Sequence, residues 1–125
     1  QPTNVNRKAV PNHVPDSGDI MWLDGGPTRG SEQDRRRPWV VLSDRSFNGA
    51  SGLAHCVPCT TTVKGTKWEV PLEGLEHPTA ILWAHGKTLD WRARGAEFRG
   101  ETASGDVMKR LRLRIGSLLG IPMIK

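Results

Sequence analysis

Apolar and polar positions change rhythm once along this chain. Up to about residue 103 the apolar residues come in short runs or alternate with polar ones, which predicts strands over residues 19–24, 39–43, 53–60, 67–72, 79–84, 89–91 and 96–98. In the 67–72 segment the alternation sets Trp68, Val70 and Leu72 on one face. All five tryptophans, Trp22, Trp39, Trp68, Trp83 and Trp91, fall in these predicted strands, where large rings suit a pleated, half-buried surface. The glycine-rich stretch from Gly25 to Gly30 predicts a turn, and Asn48-Gly49 predicts a second one leading into the third strand. After Ser104, a suitable N-cap, the period changes: Val107, Leu111, Ile115 and Leu118 recur at helical spacing, with Lys109 and Arg112 on the far face and Arg114 at the flank. Asp106 suits the helix start, Gly116 weakens its interior, and Gly120 followed by Pro122 is a stop signal. The pattern predicts a mainly β protein: a strongly bent, mostly antiparallel small barrel carrying one C-terminal amphipathic α-helix.

Length narrows this to one domain, since 125 residues bury one real core and not two. The expected organisation is a flexible N-terminal tail over 1–13, a single domain over 14–120, and a short C-terminal tail over 121–125. Lysine and arginine number 18 against 13 aspartate and glutamate, with positive charge gathered at Arg35-Arg36-Arg37 and at Lys109, Arg110, Arg112 and Arg114. A polyanion is the simplest partner for such a surface, although charge alone equally fits a solvated face. No apolar run approaches about 18 residues and the first residues are polar, so neither a membrane span nor a signal peptide is expected, and the cytoplasm is the expected compartment. Cys56 and Cys59 form a lone C-x-x-C, a spacing compatible with redox chemistry or half a zinc site. Residues three apart in a strand point to opposite faces and no second ligand pair follows, which favours two cysteines packed as small hydrophobes.

The densest polar chemistry lies between Gly25 and Pro38. Arg29 and the arginine run suit phosphates, while Glu32 and Gln33 suit base edges, in a loop able to lie along extended RNA; an ordinary exposed hairpin loop is the competing reading. Pro38 disfavours helix at the residue before it, so Arg37 is expected to be extended at the root of this loop, on a stiff element. Thr60-Thr61-Thr62 ends the third predicted strand, where β-propensity alone would explain threonine. His55, His77 and His85 are possible proton carriers, but no two of them stand in a motif.

Taken in order, the strings V-P-D-S-G-D-I-M-W-L-D from Val14, P-T-R-G-S-E-Q from Pro27, R-P-W-V-V-L-S from Arg37, F-N-G from Phe47, C-V-P-C-T-T from Cys56, V-K-G from Val63, E-V-P-L from Glu69 and K-T-L-D-W-R-A-R from Lys87 resemble the MazF/PemK toxins. The resemblance runs from Val14 to Gly120. It implies an SH3-like barrel of MazF/CcdB type, assembled as a homodimer. It also implies a metal-independent endoribonuclease with no cofactor, which cuts single-stranded RNA through its 2′-hydroxyl and is held inactive by a MazE-like antitoxin with an acidic C-terminal tail. The family's catalytic arginine falls on Arg37 and its catalytic threonine on Thr60, and Glu32 matches a position tied to activity. Ser31, Gln33 and Lys64 fall where the family's loops meet RNA, and Arg29, Thr61, His85 and Lys87 complete the expected RNA-contacting set. The chain departs from many members at Ala84-His85, where they carry Asp-Gln, and at Gly25-Gly26, where they often carry a larger apolar residue. The alternative is a non-catalytic toxin or nucleic-acid-binding barrel, such as a gyrase-directed protein of CcdB type, since one scaffold hosts unrelated functions.

Overall fold

The computed structural model describes residues 9–27 and 35–122. Residues 28–34 lie outside that range, and with them four expected site residues, Arg29, Ser31, Glu32 and Gln33. Seven strands and two helices follow in the order β1 (Asp19–Leu23), β2 (Arg37–Val41), α1 (Arg45–Ser51), β3 (Ala54–Thr60), β4 (Glu69–Leu72), β5 (Thr79–Leu82), β6 (Lys87–Leu89), β7 (Glu97–Thr102) and α2 (Gly105–Leu118). All pairings are antiparallel, in the sheet order β4-β5-β3-β2-β1-β7, with β6 paired to β3. The sheet does not close: β4 and β7 stand at its two ends and are not paired with each other among the described residues. The expected mainly β, antiparallel architecture with a C-terminal helix is present, as a bent sheet that stays open among the described residues. A register shift in the β1–β7 ladder between Asp19 and Met21 leaves that pairing irregular, as a β-bulge does when it bends a strand.

β3 is the strand on which the sheet turns. Its first part pairs with β2 on one side and β6 on the other, and its last two residues, Cys59 and Thr60, pair with β5. Alternate residues serve two separate cores. Ala54 and Cys56 join Met21, Leu23, Trp39, Val41, Leu89 and Trp91, whereas Val57 and Cys59 join Ile20, Val40, Val70, Leu72, Ile81 and Trp83 beneath Met108 and Leu111 of α2. The two cysteines thus lie in different cores, as the strand period implied, and burial pushes both thiols up to about 12, Arg37's charge offsetting a little of the rise at Cys59. At residues 10–13, within the expected tail, Val10 N–H donates to the Phe98 carbonyl and the His13 ring stacks on Phe98 at 3.8 Å.

Several local expectations shift. Asn48-Gly49 sits inside a helix, α1, and not at a hairpin turn. Asp44 caps its start by accepting from Phe47 N–H, which with the Ser46 hydroxyl holds the Asp44 carboxyl below its usual range, and Gly52 ends it at φ 74°. Asn48 is fully buried: its amide donates to the Pro15 and Ser43 carbonyls, its side-chain oxygen accepts from the Ser43 hydroxyl at 2.6 Å, and its backbone carbonyl accepts Trp91 Nε1. Trp91 follows β6 in a turn, Trp83 follows β5, and Trp68 precedes β4 with half its surface exposed, so only Trp22 and Trp39 lie within strands. In α2, Ser104 is the N-cap as expected, accepting from Val107 N–H. The buried face centres on Met108, Leu111 and Gly116, while Leu118 is exposed.

Replacing Asn48 by alanine strips partners from two buried carbonyls and the Ser43 hydroxyl. Urea unfolding is expected to show a loss of about 3 kcal/mol. The raised thiols give a second expectation. Below pH 9.0, the ordinary thiol value, the stability from their burial is complete; it is lost between 9.0 and about 12, as the unfolded chain ionises first. Alkylation of the folded protein at pH 8 should run roughly 10³-fold slower than of the unfolded chain; equal rates would show the thiols to be accessible.

Candidate functional site

Two predicted site residues stand at strand ends. Arg37 opens β2, opposite Leu23 of β1, and Thr60 closes β3. The β2–β3 ladder pairs Trp39 with Pro58, Val40 with Val57 and Val41 with Cys56. This ladder stops two residues short of both, where Thr60 pairs with Ala80 of β5, and the alternation along β2 and β3 gives Arg37 and Thr60 the same face. Arg37 is exposed, and no hydrogen bond or ion pair occupies its guanidinium among the described residues. Thr60 Oγ1 accepts the Thr62 N–H at 3.0 Å, which ties down a lone pair and leaves the hydroxyl proton free to be donated outward. An unpaired planar cation beside a free hydroxyl donor suits an oxyanion such as a phosphodiester.

The segment after Thr60 is held from below. Glu69, the buried first residue of β4, accepts Lys64 N–H at 3.2 Å and Gly65 N–H at 2.9 Å, and Gly65 takes a φ of 71° there. That pins the loop carrying Thr61 and Lys64, whose side chains are exposed. Lys87, in β6 opposite Cys56, reaches the Gly25 carbonyl with Nζ at 3.2 Å, so this expected RNA contact bonds to the exit of β1. His85 is exposed in the turn between β5 and β6, its N–H donating to Leu82, and no hydrogen bond or ion pair ties it to Arg37 or Thr60 among the described residues. His55 hydrogen-bonds Thr88 and His77 lies beside Glu76, both apart from the Arg37–Thr60 pair.

The residues that residue-type reasoning missed hold the approaches to this pair. Arg94 is buried. Its Nη1 donates to the Asp24 and Gly26 carbonyls, each at 2.8 Å, and its Nε pairs with Asp90 at 2.6 Å. With Lys87, three successive carbonyls after β1, those of Asp24, Gly25 and Gly26, are each taken by a cationic side chain. Gly25 lies flat against Trp39: a Cβ there would sit 2.1 Å from the indole Cζ2. The departure from a larger residue at Gly25 thus has a steric reason in this chain. Arg36, counted in the sequence as part of a basic run, is turned inward, with its side chain only 6% exposed. Its Nη1 donates to the Trp22 and Gly95 carbonyls at 3.1 and 3.0 Å. Among the described residues no three of His, Cys, Asp and Glu group as metal ligands would, and no helix is long and apolar enough to cross a membrane.

An open antiparallel sheet backed by a C-terminal helix, with a free arginine and threonine at neighbouring strand ends, is the form of a small toxin from a type II toxin–antitoxin system. Residues 16–119 match the family described as PemK-like, MazF-like toxin of type II toxin–antitoxin system, and the chain belongs to that family. It is 43% identical over 111 residues to the endoribonuclease toxin MazF of Escherichia coli strain K12, spanning 89% of this chain and 99% of that protein. Among solved structures it is similar to MazF of Deinococcus radiodurans in crystal form I, with a TM-score of 0.77 and 42% identity over 87% of this chain and 99% of that one. It is also similar to the Deinococcus radiodurans MazE–MazF structure in form II, with a TM-score of 0.76 and 38% identity over 89% and 100% of the two chains.

Gly25→Ala forces its methyl group into the Trp39 indole. A loss of about 1–3 kcal/mol in unfolding free energy is expected, with a change in Trp39 fluorescence; an unchanged midpoint and spectrum would show that the exit of β1 moves aside freely.

Proposed function

We propose that this protein is a sequence-selective endoribonuclease, the toxin of a toxin–antitoxin pair, which cleaves single-stranded RNA without a metal ion. The observation that carries the reading is the Arg37 guanidinium, exposed and unpaired among the described residues at the start of β2, on the face that the β2–β3 alternation also gives to Thr60, whose hydroxyl proton no described residue takes up. The 43% identity to an endoribonuclease toxin over nearly its whole length supports it. In this reading Arg37 and Thr60 clamp the non-bridging oxygens of the scissile phosphate, where charge builds as the reaction proceeds. The ribose 2′-oxygen attacks phosphorus, its bond to phosphorus forms as the bond to the 5′-oxygen breaks, and the products are a 2′,3′-cyclic phosphate and a 5′-hydroxyl. The 2′-hydroxyl proton passes to Glu32, because a carboxylate is a competent acceptor at neutral pH and a guanidinium already carrying its proton is not. The departing 5′-oxygen takes a proton from Arg37 or from water. Arg29, Ser31, Gln33, Thr61, Lys64 and Lys87 bind the flanking nucleotides, and His85 reads bases beside the cut.

The open sheet is an SH3-like barrel parted between β4 and β7. Two copies associate, since Leu113, Leu118, Leu119 and Ile121 expose apolar surface along and beyond α2 that a single copy leaves in water. The inhibitor is an antitoxin whose acidic tail competes with RNA for Arg37 and its basic neighbours; relatives from Deinococcus radiodurans have been solved as MazE–MazF structures. Toxin and antitoxin meet in the cytoplasm.

Incubation of the purified protein with a long single-stranded RNA in EDTA is expected to yield discrete fragments with 5′-hydroxyl ends. Arg37→Ala and Thr60→Ala should abolish them, and Glu32→Gln should slow their appearance by about 10²-fold or more. RNA left intact by the wild-type protein would favour a non-catalytic toxin of the gyrase-directed kind. Full activity of Glu32→Gln would remove the carboxylate from the proton transfer.

A further inference from the structure

Arg36 and Arg37 are consecutive, yet only one faces water. The Arg36 guanidinium bridges the carbonyl of Trp22 in β1 and that of Gly95 just before β7, and it lies 4.0 Å from the Glu97 carboxylate, which also pairs with Arg99. Trp22 stands opposite Pro38 in the β1–β2 register and opposite Glu97 in the β1–β7 register, so its carbonyl lies where the three strands run together. Arg36 supplies a donor there from its side chain. Gly95 takes a φ of 63°, which favours glycine, and a Cβ at that position would touch Arg36 Nη2 in ordinary contact at 3.5 Å. The anchorage has a cost, because among the described residues Arg36 Nε is buried without a partner.

We propose that Arg36 is a positioning residue for Arg37. Successive residues of an extended chain point to opposite sides, so a guanidinium anchored inward at 36 holds the next one outward, toward Thr60. By tying the start of β2 to β1 and to the approach to β7, it stops the strand end from fraying and keeps Arg37 aimed at the phosphate before RNA arrives. The inference rests on the reading of Arg37 as the group that meets the scissile phosphate. It assigns Arg36 no contact with RNA, although its charge belongs to the basic run.

The test uses Arg36→Met, which removes the donors at similar length, and Arg36→Lys, which keeps a shorter cation. Steady-state cleavage of a short single-stranded RNA holding one mapped cut site is measured over a range of salt, with thermal melting of each variant. The expected result is a kcat at least about 10-fold lower for Arg36→Met, a KM within about 2-fold of wild type, and an intermediate kcat for Arg36→Lys. The salt dependence of KM stays the same, because no phosphate contact is lost. An unchanged kcat per folded molecule overturns the proposal. A raised KM with a shallower salt slope also overturns it, by making Arg36 a phosphate ligand. If Arg36→Met does not fold, the kcat and KM of Arg36→Lys decide by the same criteria. Cleavage by wild type alongside a fully active Arg36→Met sinks only this inference, whereas wild-type protein that leaves RNA intact removes the ribonuclease reading and this inference with it.

Discussion

A slip of one residue in the β2–β3 register would undo both the core and the site. Side chains alternate along a strand, so such a slip would set Arg37 and Thr60 on opposite faces. The register is secured because β3 feeds two cores at once, Ala54 and Cys56 on one side and Val57 and Cys59 on the other. Four buried residues in two environments leave one alignment in which none is expelled into water. The site at the strand ends inherits that precision without contributing to it: Arg37 is exposed, and its position is set by apolar residues several places away.

The arginines divide by role in a way their charge does not reveal. Arg36 and Arg94 are both turned inward, and both spend their donors mainly on backbone carbonyls at places where the chain leaves or enters β1 and β2. Guanidinium is suited to this, since its rigid fork reaches carbonyls that no neighbouring strand can satisfy. The Asp90 carboxylate beside Arg94 and the Glu97 carboxylate near Arg36 offset the burial of each charge. What remains for an external anion is the outward set, above all Arg37. A net charge of +5 therefore says less about the ligand surface than the orientation of three or four side chains does.

The backbone around the site is held by a few polar side chains. Glu69 grips the Lys64–Gly65 backbone, Lys87 and Arg94 take the carbonyls after β1, and Asn48 ties α1 to Pro15, Ser43 and Trp91. Binding groups carried on pinned backbone lose less freedom when a ligand arrives, which is how a loop becomes a precise site.

Much of the secondary structure was legible because it is local. Short apolar runs bounded by turn signals, with period-two alternation at 67–72, announced β1 to β5, helical spacing and Ser104 announced α2, and Pro38 announced an extended Arg37. The opposed faces of Cys56 and Cys59 followed from the same period. The ordered motifs pointed to the family, and Arg37 and Thr60 were named through them. What the sequence could not supply depends on groups distant along the chain. Asn48-Gly49 carries a strong turn signal, but Asp44 and Gly52 cap a helix there and Asn48 is drawn into the interior by Pro15 and Trp91. Trp68 has the alternation of a core residue and stands half exposed, because β4 begins one residue later at the sheet's edge. Arg36 and Arg37 are identical as letters. Which of them turns inward was settled when folding brought the Trp22 and Gly95 carbonyls within reach of one and left the other facing water. The sequence by itself determined the strands, the helix and the residue types of the site; only the tertiary structure decided orientation, because the partner that satisfies a buried charge is a long-range contact.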